Sequence, residues 1–536
     1  MTDDKKILTK DSVFSHKGLY ISTTLPYVNS QPHIGHAFEF VLADFLKRYY
    51  NFLQQKKEEN NRVYPTHNVS TNSYQNKYGK FNLPYCTLNT GIDEHGQKIY
   101  QRAIELNKEP QQFCDEMADT WKDFCKIIFM DYDNFYRTSS DAHKKNAQEY
   151  LFKIRNLIYK KQYTGNYCQG CESIKTDKEI INNQCEFHVG TKLMQISEEN
   201  FFFPLTNFKD MDLSNILVDK TFQNELNSIV QNCGDLSISR ENVNWGIDIP
   251  FSNQKMYVWF EALLNYVFAI GYTTSLVNFF EFSENWKNSL IICGKDNLKF
   301  QAYILPALLK ANYINPPKKV LVHGMILDSN KLKMSKSIGN VVDPIEQFKK
   351  YGSNAVRYYL LSGLNTFQDS SYSEEVLVTK YNSDLVNNYG NLIARVTTIL
   401  EQDQRLNLTK NTIIDGPSEI FNFNFSEYDN LNSDSQFIIY VKTEIEKAHN
   451  QLEENLNVKE CFSIINNLIN YTNKYFTTEK PYDVNSINRN QVLLETLFVV
   501  RETSIFYMAA TPEIGDFLSN HLTKRIIKTI LYKKIE

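Results

Sequence analysis

Residues Gly18–His36 read GLYISTTLPYVNSQPHIGH. Leu19–Thr24 is an apolar, β-branched run, the composition of a buried strand. Asn29, Ser30 and Pro32 then mark a turn, and a helix is predicted to open near Ile34 and run through AFEFVLADFLKRYYNFL. His33 and His36 therefore stand where a strand end meets a helix N-terminus. An α/β sheet gathers phosphate at such a place, because free N–H groups and the helix dipole both favour an anion. Gly35 between them lets a flat ring lie close to the backbone. Two histidines at a helix start serve equally well as a polar cap, so the reading turns on a second stretch far downstream.

With 536 residues, 42% of them hydrophobic and 13% aromatic, the chain is too long for one core, and about two to four globular domains are expected. The net charge is −4 and the pI about 6.3, so a nucleic-acid partner must be held by local basic patches and not by an overall field. The N-terminal MTDDKKILTKDS has neither the apolar core of a signal peptide nor an Arg-rich amphipathic pattern, and a cytoplasmic location is expected. The best candidate for a membrane span, Tyr257–Tyr272, contains Glu261 and Asn265, so no membrane partner is expected. The nine cysteines are mostly scattered, with three clustered, which suits a reducing compartment and one metal site.

Past the first helix, Gln54–Asn82 is polar and without period and reads as a surface insertion. Pro84–Thr90 restores a strand, and Gly91–Gly96 (GIDEHG) leads into a helix over Gln97–Leu106. Asp93 and His95 thus reach the same sheet rim; Asp93 either pairs with a substrate ammonium or caps the following helix. Helices are predicted at Gln111–Phe129 and Asp141–Lys160. Cys168, Cys171, Cys185 and His188 then form C-x2-C-x13-C-x2-H, the spacing of a tetrahedral structural Zn2+ with no open coordination position. Further on, Met256–Phe260 is predicted as a strand running into a helix over Glu261–Ile270. Ser289–Cys293 and Lys319–His323 are predicted strands, with Gly294-Lys295-Asp296 and a helix to about Ala311 between them. Alternation of strand and helix on both sides of the cysteine segment predicts an α/β fold, a doubly wound parallel sheet split by a zinc-knuckle insertion.

The second stretch is Lys333-Met334-Ser335-Lys336-Ser337, on a polar loop between Asp328-Ser329-Asn330 and Gly339. Two lysines and two hydroxyls on such a loop suit a triphosphate whose charge moves during reaction. His33–His36 (HIGH) together with Lys333–Ser337 (KMSKS) resembles the class I aminoacyl-tRNA synthetases. The flanking LPYVNSQPHIGHA, GIDEHGQKI, YVWFEALLNY, GKDNLKF, HGMIL and KMSKSIGNVVDP narrow the resemblance to the methionyl-tRNA synthetase family, from about Leu19 to the end of the chain.

That resemblance implies activation of L-methionine by ATP with Mg2+ and transfer of the methionyl group to the terminal ribose of tRNA(Met). It implies that His33, His36, Lys333 and Lys336 stabilise the triphosphate, that Gly35, Met334, Ser335 and Ser337 complete the ATP site, and that Gly294, Lys295 and Asp296 meet the nucleoside. Leu25, Tyr27, Asp93, Trp259, Ala262 and Tyr266 are implied for methionine. Where the family usually has His after Phe300, this chain has Gln301. Leucine, isoleucine and valine enzymes of the class carry a large editing domain, for which the interval between Asp93 and Trp259 is too short. A cysteine enzyme would place a metal-binding Cys near the first strand, and the first Cys here is Cys86.

The expected organisation is a catalytic half over residues 1–128, a connective insertion over 129–240, the second catalytic half over 241–345, a link over 346–372 and an all-α bundle over 373–536. Asp343-Pro344-Ile345-Glu346 is a capping box that opens a helix. Helical periods follow over Glu374–Gln402, Ser435–Asn455, Val458–Phe476 and Asn490–Ala510. By resemblance the bundle reads the anticodon, through Asn391 and Arg395, four apart on one helix face, and through Tyr482 where the family stacks a Trp. Arg395 reads equally as one half of an intrahelical salt bridge. After the terminal ILYKKIE no appended tRNA-binding or dimerising domain is expected, and hence a monomer.

Overall fold

A computed structural model describes residues 18–29, 31–60, 75–76, 79–80, 86–168, 173–175, 180–185, 188–272, 279–334, 339–402, 435–514 and 532–535. Its centre is a five-stranded sheet of β1 (Leu19–Thr23), β2 (Cys86–Ile92), β3 (Asn134–Arg137), β6 (Ser289–Gly294) and β7 (Lys319–His323); β4 and β5 belong to the insertion described below. The order is β7-β6-β1-β2-β3, and every pairing is parallel. Tyr20 lies opposite Ser289 on one side and Thr87 on the other.

Alternate residues of each strand enter different cores, as the strand period of two requires. Leu19, Ile21, Leu290 and Ile292 pack with helix α1 (Ile34–Asn60) and with α3 (Pro110–Ile127), which follows α2 (Gln97–Glu105). Tyr20, Ile291, Cys293 and Val320 pack on the opposite face with α4 (Asp141–Lys153) and the later α7 (Leu305–Ala311). Helices on both faces make the sheet doubly wound. β1 sits between β2 and β6, so the chain reverses its direction of winding there, at the topological switch point where open α/β sheets bind ligands.

Between the two halves, β4 (Tyr159–Cys168) and β5 (Met194–Phe203) form a long antiparallel ribbon, with Tyr163 opposite Glu198. This corrects the helix predicted to reach Lys160, which ends at Lys153. Tyr159, Tyr163 and Tyr167 recur every four residues, a spacing compatible with a helical turn and with the strand period. The strand predicted at Met256–Phe260 is likewise only Lys255–Met256; Val258–Ala262 (α5) and Asn265–Phe268 (α6) are short helices. An apolar run buried on all sides shows no period that separates the two states. The polar stretch from Gln54 starts as the last turns of α1, whose Gln54 is buried; residues 61–74 lie outside the described residues.

After the sheet, α8 (Pro344–Tyr351) is capped as its sequence requires, Asp343 accepting from the Ile345 and Glu346 amides. There follow α9 (Ser353–Ser362), α10 (Glu374–Lys380), a π-helical segment over Tyr381–Gly390, α11 (Asn391–Gln402), α12 (Gln436–Glu453), α13 (Val458–Glu479) and α14 (Arg489–Ala510). The bundle docks on α1. Tyr49 stacks near Phe506 at 5.8 Å between ring centres and shares a 2.6 Å hydrogen bond with His449.

Candidate active site

Thr24, Asp93, Gly294 and His323 stand at the carboxyl ends of β1, β2, β6 and β7, and all four line one cavity of about 520 Å³. The parallel sheet therefore delivers residues from four distant parts of the chain to one rim. The wall also includes His33, Gly35, His36, Asp296, Lys333 and Met334, which sequence reasoning proposed for ATP, and Leu25, Tyr27, Trp259, Ala262, Tyr266 and Gln301, which it proposed for methionine.

His33 realises the cap reading, and both histidines line the cavity. Their rings stack, with centres 3.6 Å apart. His33 Nδ1 accepts from the amides of Gly35 (3.2 Å) and His36 (3.4 Å), capping α1, and His36 Nδ1 accepts from the His33 amide at 3.2 Å. An Nδ1 that accepts carries no proton, so each neutral ring carries its proton on Nε2. A Cβ at Gly35 would come within 3.0 Å of the His33 ring, so a larger residue displaces it. The Trp121 ring meets the His36 ring edge-on at 4.9 Å. Burial, with His33 and His323 adding repulsion, holds the His36 imidazole well below its ordinary pKa.

Behind them, Glu39 accepts from the Thr24 amide (2.7 Å), the Thr24 hydroxyl (2.6 Å) and His323 Nε2 (3.1 Å). His323 Nδ1 donates to the Gly324 carbonyl at 2.8 Å, so both ring nitrogens are donors. Burial alone would lower the His323 pKa; the Glu39 carboxylate outweighs it and raises it. The result is a buried imidazolium–carboxylate pair tying β1, α1 and β7 together at the cleft. Sequence reasoning passed over Thr24, Glu39 and His323. The signal for His323 was present, since it ends a predicted strand of the same sheet.

Tyr27 and Asp93 form a parallel bridge, the Val28 amide donating to Asp93 O and the Asp93 amide to Pro26 O. The cap of α2 is Gly96, with no side-chain hydrogen bond, so the alternative role of Asp93 as a helix cap is not realised. Trp259, Ala262, Leu263 and Tyr266 present one apolar wall although the two helices carrying them are separate. Gln301 lies on a turn of π-helix over Phe300–Ile304, a widening that recurs at functional sites. It is only 4% exposed, and its Oε1 has no hydrogen-bond partner among the described residues.

Not every expected residue converges. Lys295 is absent from the cavity wall, and its ammonium pairs with Asp369 at 2.6 Å. Ser335, Lys336 and Ser337 lie outside the described residues, as do Cys171 and the side chain of His188. Cys168 and Cys185 are buried, and the His188 backbone pairs with that of Cys185; among the described residues no group of three or more metal-ligating side chains occurs. Asn391 and Arg395 lie on α11 in the bundle. Arg395 donates across to Thr477 Oγ1 (3.1 Å) and Asn473 Oδ1 (3.4 Å) of α13 and stacks over Phe476, which is not the intrahelical salt bridge that its sequence also allowed. Tyr482, after α13, is 53% exposed. No helix among the described residues is long and apolar enough to cross a membrane.

The family described as tRNA synthetases class I (M) matches residues 19–64, 73–190 and 174–397. The methionine–tRNA ligase of Thermotoga maritima is 32% identical over 518 residues, 93% of this chain and 74% of that protein. That of Rickettsia typhi is 31% identical over 521 residues, 94% of this chain and 92% of that protein. The solved methionyl-tRNA synthetase of Mycobacterium tuberculosis, in complex with methionyl-adenylate, superposes with a TM-score of 0.77 at 25% identity over 95% of this chain and 94% of that one. A cleft on a parallel sheet, lined by His33–His36 and by Lys333 and Met334, thus coincides with similarity along nearly the whole chain, and the chain belongs to the methionyl-tRNA synthetase family of class I.

Proposed function

We propose that this cleft is the site of methionine–tRNA ligation, with Asp93 and the Trp259–Tyr266 wall holding methionine and the His33–His36 and Lys333–Ser337 stretches holding ATP. The observation that carries the reading is the single cavity shared by His33, His36, Asp93, Trp259 and Lys333. Asp93 pairs with the α-ammonium, while Trp259 and Tyr266 enclose the thioether, which packs well against ring edges. The carboxylate attacks the α-phosphorus of ATP. A P–O bond forms to methionine as the bond to pyrophosphate breaks, giving methionyl-adenylate. The protein supplies position and charge, with no covalent intermediate. The Nε2–H groups of His33 and His36, backed by the start of α1, donate to phosphate oxygens as charge develops. Lys333 and Lys336 draw the pyrophosphate charge, and Asp296 meets the ribose. In the second step a terminal ribose hydroxyl of tRNA(Met) attacks the methionyl carbonyl and AMP leaves.

Mg2+ accompanying the triphosphate would spread its charge. Pyrophosphate exchange measured with each of the twenty amino acids tests the assignment. Methionine alone should support it; exchange with another amino acid points to a sibling enzyme, and none at all to a non-catalytic tRNA-binding relative.

Zn2+ fits the donor set of the insertion, since two of its thiols, Cys168 and Cys185, are buried at strand ends. Cys168, Cys171, Cys185 and His188 would hold it as a structural ion. About one equivalent of zinc is expected in the purified protein, and Cys185→Ser should lower both zinc content and the melting temperature; a metal-free preparation with undiminished stability would count against the knuckle.

We assign anticodon contact to Asn391, Arg395 and Tyr482. A base stacked on such a ring contributes about 1–3 kcal/mol. Tyr482→Ala should therefore cut kcat/KM for tRNA(Met) by about tenfold or more while methionine-dependent pyrophosphate exchange is unchanged. Equal loss in both assays would remove Tyr482 from the RNA contact.

A further inference from the structure

Beneath the amino-acid wall lies a polar cluster that the reaction above does not use. Glu261, between Trp259 and Ala262 on α5, is fully buried. Its Oε1 is 2.8 Å from His95 Nδ1 and its Oε2 is 2.6 Å from His143 Nε2. The Tyr136 hydroxyl lies 2.9 Å from His143 Nδ1. The two histidines are themselves buried and come from different elements, His95 from the loop after β2 and His143 from α4.

The Glu261 carboxylate accepts from both imidazoles, His95 Nδ1 and His143 Nε2 each donating to one of its oxygens. His95 Nε2 has no hydrogen-bond partner among the described residues. Burial pushes the Glu261 carboxyl up, and the two histidines overcome this and hold it below the usual carboxylate range.

A buried carboxylate is costly to fold around, and such groups gather where a site uses them. Each end of this clamp adjoins a cleft residue. His95 is two residues from Asp93, and Glu261 is beside Ala262 and two residues from Trp259. We propose that Glu261 is a positioning residue for the amino acid: through His95 it locks the Asp93 loop to the Trp259–Ala262 turn, so that the Asp93 carboxylate is held where it meets the substrate's α-ammonium.

The inference rests on the methionine-site reading, and the experiment separates the two. Calorimetric binding of L-methionine and of its deaminated analogue, 4-(methylthio)butanoate, is measured for the parent chain, for Glu261→Gln and for Tyr136→Phe. Parent binding of methionine tests the site itself. Glu261→Gln keeps the size, removes the charge and forces one histidine to change tautomer. With the Asp93 loop loosened, its methionine affinity should fall by about tenfold, the scale of one weakened charged hydrogen bond, with the analogue's affinity within about twofold and the melting temperature within about 5 °C. Tyr136→Phe should weaken methionine by about two- to threefold in the same selective way and serves if the Gln variant does not fold. Equal weakening of both ligands makes the cluster a purely structural support. That result, or undiminished methionine affinity in a folded Glu261→Gln, overturns the proposal.

Discussion

His36→Ala is expected to slow methionyl-adenylate formation by about a hundredfold or more, the usual cost of deleting one donor aimed at developing charge. Methionine binding should stay within about twofold. The asymmetry follows from the proposed roles, His36 meeting ATP through the Nε2–H that its accepting Nδ1 leaves as donor, and Asp93 and Trp259 meeting methionine. Rapid-quench measurement of adenylate, beside methionine titration of intrinsic tryptophan fluorescence, separates the two effects; a parallel loss in both would show that His36 merely supports the fold. The same residue gives a stability trend with a definite sign. Its folded pKa is depressed below the ordinary imidazole value of 6.5, so as pH falls through that value the unfolded chain takes up a proton that the folded chain refuses. The His36 contribution to stability is present above that range and declines as pH drops below it. A ring held neutral donates a hydrogen bond without adding a full charge, which leaves the cationic share of the work to the lysines.

Arg357→Leu is expected to destabilise the protein by about 3–5 kcal/mol, the cost of removing one partner from a buried ion pair. Arg357 is completely buried on α9. It pairs with Asp44 of α1 at 2.5 Å and donates to the carbonyls of Ile128, Ala509 and Ala510. One guanidinium thus binds α1, the helix that His33 caps, the end of α3 and the last turn of α14. Arg48 also pairs with Asp44 at 2.9 Å, so the carboxylate keeps one partner in the variant while the carbonyls lose their donor. Urea denaturation followed by circular dichroism measures the effect. A loss under about 1 kcal/mol would show that water or Arg48 replaces the guanidinium.

What the sequence disclosed depended on whether the signal was periodic. The strands of the central sheet were legible because alternation and chain punctuation agree there, as at Lys319–His323, which the structure matches at both ends. Asp343 announced α8 because a cap is a local chemical requirement. Tyr159 and Lys160 were misread as the end of a helix because tyrosines spaced by four satisfy a helix and a strand alike, and only their pairing with Phe202 and Phe201 decides between them. The cleft was legible through its signature stretches, but Glu39 and Glu261 were not. Each sits inside an apolar helix face as an isolated acid, and only the long-range approach of His323, His95 and His143 gives it a role. Lys295 shows the converse: its sequence neighbours Gly294 and Asp296 line the cavity, while its own ammonium is taken by Asp369.

The most direct measurement is a crystal structure of the chain with a non-hydrolysable sulfamoyl analogue of methionyl-adenylate. The thioether should lie between Trp259 and Tyr266 with the ammonium on Asp93, and the sulfamoyl group should face His33 and His36 across from Lys333. An analogue bound anywhere else, or one whose methionyl and nucleoside halves occupy the two sides in reverse, would contradict the assignment of this single cleft to both substrates.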